Sequence, residues 1–280
     1  MGVAFATSIF FGINPYFYHS KIMLKQIQIG FSAYRKASKF ILKNKLSWFY
    51  LIPLFLNVLL FAATIYGTDF LTEGITNWCL EYFGLEKGGE YYETVGVIIW
   101  WFFYVVIKLV SWIIFHFVSG GLILIILSPV LAYLSERTEK ILKGNEYPFN
   151  LNLFIKDVAR GAIIAARNTI LQLIIMALII LLAFIPLVQV VTPFLLFIVA
   201  AYYYGFSFMD YTCERRRLTL KESVRFMRNN KGLSLANGSI FAGAIMIPWV
   251  GGLLAGFVAI NSVVAATISV NEAEDKNLLK

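Results

Sequence analysis

Histidine and cysteine are nearly missing from this 280-residue chain, which has two of each. His19 and His116 are far apart in sequence, and no cysteine pair has metal-ligand spacing, so neither a zinc site nor a catalytic constellation has the residues to form. Cys79 lies in an acidic stretch and Cys213 in a basic one; the topology below puts them on opposite faces of a membrane, which excludes a disulfide within one chain. Charge is scarce too. Charged residues make up 14% of the chain against 59% hydrophobic ones, and the mean hydropathy is +0.74. That balance excludes an ordinary soluble domain and reads as an integral membrane protein. The net charge is +8 with a pI near 9.4. Basic residues crowded beside apolar spans are a topology signal before they are a nucleic-acid signal, so no nucleic-acid partner is expected. No ATP-binding motif or other cofactor signature is present, so no cofactor is expected.

What the chain has in quantity is long uncharged runs. From Asn168 to Met209, forty-two residues pass without a charged side chain, broken by Ile185-Pro186 and Pro193. As one helix this would measure about 63 Å, roughly twice a ~30 Å hydrocarbon core, so the chain must turn within it. The expected turn, from Pro186 to Pro193, has only Gln189 and Thr192 to face water, which suits a tip at membrane depth better than a loop outside it. Residues 232–271 repeat the design around a second uncharged tip, Ile247-Pro248-Trp249-Val250-Gly251-Gly252. Two hairpins made of broken helices point to a transporter's binding region.

The remaining segments follow from charge and periodicity. Residues 1–22 are apolar without a signal peptide's basic start; the alternatives are a native extension and a chain that begins at Met23. Residues 23–280 then form one membrane domain. Over 24–46, Leu24, Ile27, Phe31, Tyr34 and Ile41 follow helical spacing with lysines and Arg35 elsewhere, predicting an interfacial amphipathic helix on anionic headgroups. Span 1 covers 48–67, with Pro53 interrupting its backbone bonding and Asn57 one turn on to serve the freed carbonyl or a neighbouring helix. Residues 68–93 hold Asp69, Glu73, Glu81, Glu86, Glu90 and Glu93 against Lys87 alone, and so lie outside. Span 2 runs over 95–134 and must tilt, bend at Gly120-Gly121 or project beyond the bilayer. Within it Lys108 and His116 share a helical face, the pattern of an ion pathway or of a snorkelling lysine and a bundle histidine.

Basic residues outnumber acidic ones over 135–167, with Glu136, Arg137, Glu139 and Lys140 at its start, and again over 210–231, with Asp210, Arg215, Arg216 and Arg217. Both segments are therefore inside, as a vestibule that attracts anions or as a surface for headgroups. Thr219 and Glu222 have capping-box spacing for a short helix. Charge bias is equally compatible with six spans, but the uncharged tips favour two full transmembrane helices, amphipathic flanking helices and two re-entrant helical hairpins, an all-α fold. Half-helices leave backbone groups to be shielded within the bilayer, so a homo-oligomer is expected.

Pro53-Leu54-Phe55-Leu56-Asn57, Ser128-Pro129 followed by Glu136 and Glu139, the two Ile-Pro hairpins, and Asp210-Tyr211 followed by the basic cluster and Lys221-Glu222 occur in an order that resembles the CysZ sulfate-permease family and the related eukaryotic etoposide-induced endoplasmic-reticulum membrane proteins. The resemblance spans about Gly30 to Val270. It implies the same two spans and two hemi-penetrating hairpins, an oligomer, a bacterial inner (plasma) membrane with basic loops cytoplasmic, and sulfate uptake for cysteine synthesis. It also implies an anion site before the first span's proline. There, sulfate-associated members carry an Arg-Arg pair, and this chain departs from them with Ser47 and Trp48. Lys43 and Lys45 replace the charge, and Ser47 with the helix-start amides near Trp48 offers hydrogen bonds to an oxyanion. The expectation is a permease or channel for a small inorganic anion, sulfate by resemblance, and not an enzyme; the alternative is a membrane adaptor that holds lipid or partners on its basic inner face.

Overall fold

The computed structural model describes residues 15–82, 95–144, 151–248 and 250–279, all helices and short connections, with no strand among them. In chain order these are α1 (Pro15–Lys43), a 3-10 turn (Ser47–Tyr50), α2 (Leu51–Tyr82), α3 (Val97–Lys143), α4 (Leu151–Leu182), α5 (Pro186–Arg215), α6 (Leu220–Asn229), α7 (Lys231–Ile245) and α8 (Gly251–Asp275). Four stretches within them are long and apolar enough to cross a membrane: Ser47–Cys79, Ala159–Leu182, Pro186–Arg215 and Gly251–Asp275.

The last helix is the hub. α8 packs on α1, α3, α5 and α7, and Ala255, Ala259, Ile260 and the run Ser262–Asn271 are buried along it. Alanine, serine and glycine dominate that face, and side chains this small let neighbouring backbones approach closely, the packing that membrane helices favour. Gly256 shows how closely, since a Cβ there would fall 2.5 Å from the Pro53 ring. Asn57, one turn after Pro53, donates to the Pro53 carbonyl at 2.9 Å and to the Leu253 carbonyl of α8 at 3.2 Å, so it meets both roles expected of it.

α1 is amphipathic and presents one side to the protein. The buried side is Gln26, Ile29, Gly30, Ala33, Tyr34, Ala37 and Ile41, packed on α7 and α8, while Leu24 and Phe31 are exposed. The helix has two apolar stripes, and the one of smaller side chains takes the protein because it allows the closer approach; a Cβ on Gly30 would fall 2.4 Å from that of Ala236.

α4 packs on α5 and α7 on α8, each pair joined by a short turn. The first turn lies at Ala183–Ile185, earlier than the Pro186–Pro193 stretch expected. Pro186 is the first residue of α5, where a proline's missing N–H costs nothing, and Pro193 is accommodated inside the helix at the loss of one bond, to the Gln189 carbonyl. The second turn lies between Ile245, where α7 ends, and Gly251, where α8 already begins. α2 continues to Tyr82, into the acidic stretch; Glu86, Lys87, Glu90 and Glu93 lie outside the described residues. α3 runs forty-seven residues, about 70 Å, unbroken through Gly120, Gly121 and Pro129.

Candidate functional site

Charged side chains gather at the end of the bundle where α3, α5 and α8 converge. Arg215 closes α5 and is almost enclosed, 8% exposed, against a 4% exposed Glu139 on α3. Its Nε donates to Glu139 Oε2 at 2.7 Å, its Nη1 to Ser135 Oγ, and its Nη2 to Thr212 Oγ1 at 3.2 Å. Ser135 in turn shares a 2.7 Å hydrogen bond with Thr267 of α8. Glu139 follows Ser135 by one turn, which is why one guanidinium reaches both. A buried charge pair needs this many donors and acceptors to offset its desolvation.

Two further clusters flank this one. Arg160 of α4 grips Asp210 of α5 with both terminal nitrogens, at 3.2 and 3.3 Å, while its Nε donates to the Leu218 carbonyl at 2.8 Å and its Nη2 to Ser223. Arg216 donates to both Glu274 oxygens, at 3.0 and 3.1 Å, and Lys143 reaches Glu274 at 2.7 Å. Lys36 and Lys276 share Glu272. These pairs tie α1, α3, α4 and α5 to one another and to the end of α8.

Of the residues singled out from sequence, the fold thus unites Glu139 with Arg215, and sets Asp210 and Arg216 beside them with acidic or basic partners of their own. Glu136 is half-buried, Arg137 and Lys140 are exposed, and Arg217 is exposed in a left-handed conformation, φ 53°. Lys108 is elsewhere: thirty-one residues before Glu139, it stands about 46 Å away along α3, paired with Asp69 at 2.6 Å. The His116 side chain lies outside the described residues. Lys43, the last residue of α1, and Lys45, Ser47 and Trp48 of the short connection to α2 are all exposed. Lys45 takes a left-handed turn, φ 56°, and Trp48 stacks on the buried Phe49 with ring centroids 4.0 Å apart.

Sequence reasoning passed over Ser135, Thr267 and Glu274 entirely and counted Arg160 only as topology charge. The available signal was an i, i+4 polar pair, Ser135 and Glu139, directly after the apolar stretch that ends at Leu134. The capping box is present as expected: Glu222 N–H donates to Thr219 Oγ1 at 3.4 Å, and Glu222 Oε2 accepts from the Thr219 amide at 2.7 Å. These bonds hold the Glu222 carboxyl below the usual range. On α6, Lys221, Arg225 and Arg228 are exposed while Ser223 and Met227 are buried.

A bundle that is all-helical among the described residues, with four apolar helices of membrane-crossing length, is an integral membrane protein. The family described as "Sulfate transporter CysZ/Etoposide-induced protein 2.4" matches residues 33–255, and the chain belongs to that family. Among curated relatives, it is 25% identical over 224 residues to the "Sulfate transporter CysZ" of Pseudomonas syringae pv. tomato (strain ATCC BAA-871 / DC3000), covering 76% of this chain and 82% of that protein. To the "Sulfate transporter CysZ" of Pseudomonas fluorescens (strain Pf0-1) it is 23% identical, covering 76% of this chain and 83% of that one. These relatives are named as transporters and not as enzymes.

Proposed function

We propose that this chain is a permease or channel for a small inorganic oxyanion, that the anion is sulfate, and that it supplies sulfur assimilation. The observation that carries this reading is the match, over about three quarters of the chain, to proteins named sulfate transporters. The membrane is the bacterial inner membrane and the charged end faces the cytoplasm, a reading supported by the basic excess of the loops there. The oxyanion is first held at Lys43, Lys45, Ser47 and the amides near Trp48. Their shared exposure on one connection supports this, since none of the four is buried in the bundle.

Both helical hairpins are read as re-entrant. α7 has fifteen residues, about 22 Å of helix, short of a ~30 Å hydrocarbon core. The first tip is apolar and bare, with Phe184 83% and Leu187 87% exposed, which suits lipid or a second copy of the chain and not water. Shielding such tips is the physical reason to expect a homo-oligomer; a folded species that stays monomeric in nanodiscs would count against it.

A second reading, a non-transporting adaptor, draws on the exposed basic face of α6 at Lys221, Arg225 and Arg228. Uptake of radiolabelled sulfate into proteoliposomes separates the two. Transport requires uptake above that of empty liposomes that unlabelled sulfate competes away; uptake equal to empty liposomes, across several gradients and anions, leaves the adaptor.

A further inference from the structure

At the far end of α3 from the charged cluster, α2 and α3 lie side by side and leave between them a cavity of about 490 Å³, lined by Phe61, Ile65, Tyr104, Val105, Leu109 and Trp112. It is a groove open to the surroundings, and its lining is chiefly apolar. Its head is not. There Lys108 Nζ donates to Asp69 Oδ1 at 2.6 Å and to Thr68 Oγ1 at 2.9 Å, and stands 5.5 Å from the centre of the Tyr104 ring. Neither charge is closed off, Lys108 being 29% and Asp69 51% exposed. An ammonium has three N–H donors, and these two contacts leave one for an outside acceptor; a carboxylate has room for several donors. Lys108 in the cavity wall and Asp69 paired with it at the rim therefore offer one cationic donor and one anionic acceptor side by side.

Its depth fits a headgroup. Asp69 follows Trp48 by twenty-one residues, about 31 Å of helix, which matches the ~30 Å hydrocarbon core. A helix set with Trp48 at one membrane interface would bring Asp69, and Lys108 beside it, to the other, with most of the cavity on the bilayer side of them.

We propose that this cavity binds a zwitterionic glycerophospholipid with a primary ammonium headgroup, of the phosphatidylethanolamine class. Its phosphate accepts from the remaining Lys108 proton, its ammonium donates to Asp69, and one acyl chain lies along Phe61, Ile65 and Leu109. An anionic headgroup would satisfy Lys108 but meet the Asp69 carboxylate with like charge. A choline headgroup carries positive charge without an N–H to donate.

Native mass spectrometry of the full chain, stripped of lipid and titrated with phosphatidylethanolamine, phosphatidylcholine and phosphatidylglycerol of identical acyl chains, tests this. The wild type should bind phosphatidylethanolamine about tenfold more tightly than either other lipid, the size of one charge-assisted hydrogen bond. Asp69→Asn should bring the three within about twofold of one another, and Asp69→Glu should keep the preference. Equal binding of all three lipids by the wild type, tighter binding of phosphatidylglycerol, or an undiminished preference in Asp69→Asn each overturns the assignment. The wild-type comparison and the glutamate variant decide the matter even where Asp69→Asn fails to fold.

Discussion

Gly205 of α5 and Gly238 of α7 touch backbone to backbone where the two hairpins cross. A Cβ on Gly205 would lie 1.7 Å from the Ser234 carbonyl oxygen, and one on Gly238 would lie 1.8 Å from that of Ala201. Neither atom is the end of a flexible side chain, so the helices themselves would have to part.

Gly205→Ala and Gly238→Ala should each lower thermal stability in detergent by about 1–3 kcal/mol or more, the scale of overpacking a dense interior. Gly243→Ala is the control. It lies on the same helix as Gly238 with nothing within 4 Å, and should be neutral or slightly stabilising because alanine favours the helix. Equal melting temperatures for all three would show that the crossing is looser than described.

The Arg215–Glu139 pair should behave as a buried pair. Glu139→Gln or Arg215→Met alone leaves one enclosed charge uncompensated and should cost about 3–5 kcal/mol, whereas the double variant Glu139→Met/Arg215→Met should recover much of the loss. Thermal denaturation of the four proteins reads this directly. Measuring sulfate flux on the double variant then separates two roles, since a brace that only holds helices together leaves uptake intact and a pathway residue does not.

Single cysteines at the hairpin tips test whether the tips stay within the bilayer. Phe184→Cys and Ile247→Cys should resist a membrane-impermeant thiol reagent added from the outside, in a background where Cys79 and Cys213, both buried free thiols, are replaced by serine. Ready labelling at both tips would establish crossings in place of re-entrant hairpins.

The connection from α1 to α2 should bind sulfate weakly and lose it in salt. A helix start favours an anion by roughly 0.3–1 kcal/mol when exposed, and surface charges are screened over about 8 Å at physiological ionic strength. Lys43→Ala/Lys45→Ala should abolish the calorimetric response. Ser47→Arg/Trp48→Arg should strengthen it, because two guanidinium forks bind an oxyanion with geometry a lysine lacks. One response common to all three proteins, including none, removes this site from the mechanism and leaves Trp48 and the lysines as an interfacial anchor.

The start of α6 should be sensitive to acid. The Glu222 carboxyl is held below its ordinary value by the Thr219 amide and hydroxyl, so its contribution is present above the unfolded-state value, near 4.3, and is lost as the pH falls through the lower folded one. Amide exchange in α6 should quicken over that window in the wild type. In Glu222→Gln, which keeps a cap without a titrating group, exchange should follow the ordinary pH dependence of an amide.

Composition and one-dimensional pattern were enough to determine that this chain lives in a membrane, that it is helical, that helices break near Pro186 and Pro248, and that Thr219 caps α6. Each of these depends on neighbours in sequence: an uncharged run needs only lipid around it, and a capping box closes within three residues. Tertiary structure alone decided which apolar stripe of α1 faces protein, because Leu24 and Ala33 both read as hydrophobic and only the facing glycine and alanine of α7 and α8 select the smaller. It decided, too, that Arg160 holds Asp210 fifty residues away, and that Arg215 meets Glu139, Ser135 and, through it, Thr267. In sequence those residues are a basic excess; in the fold most are neutralised in pairs, since a charge carried into a packed helix bundle must bring its counter-charge from whichever helix lies opposite.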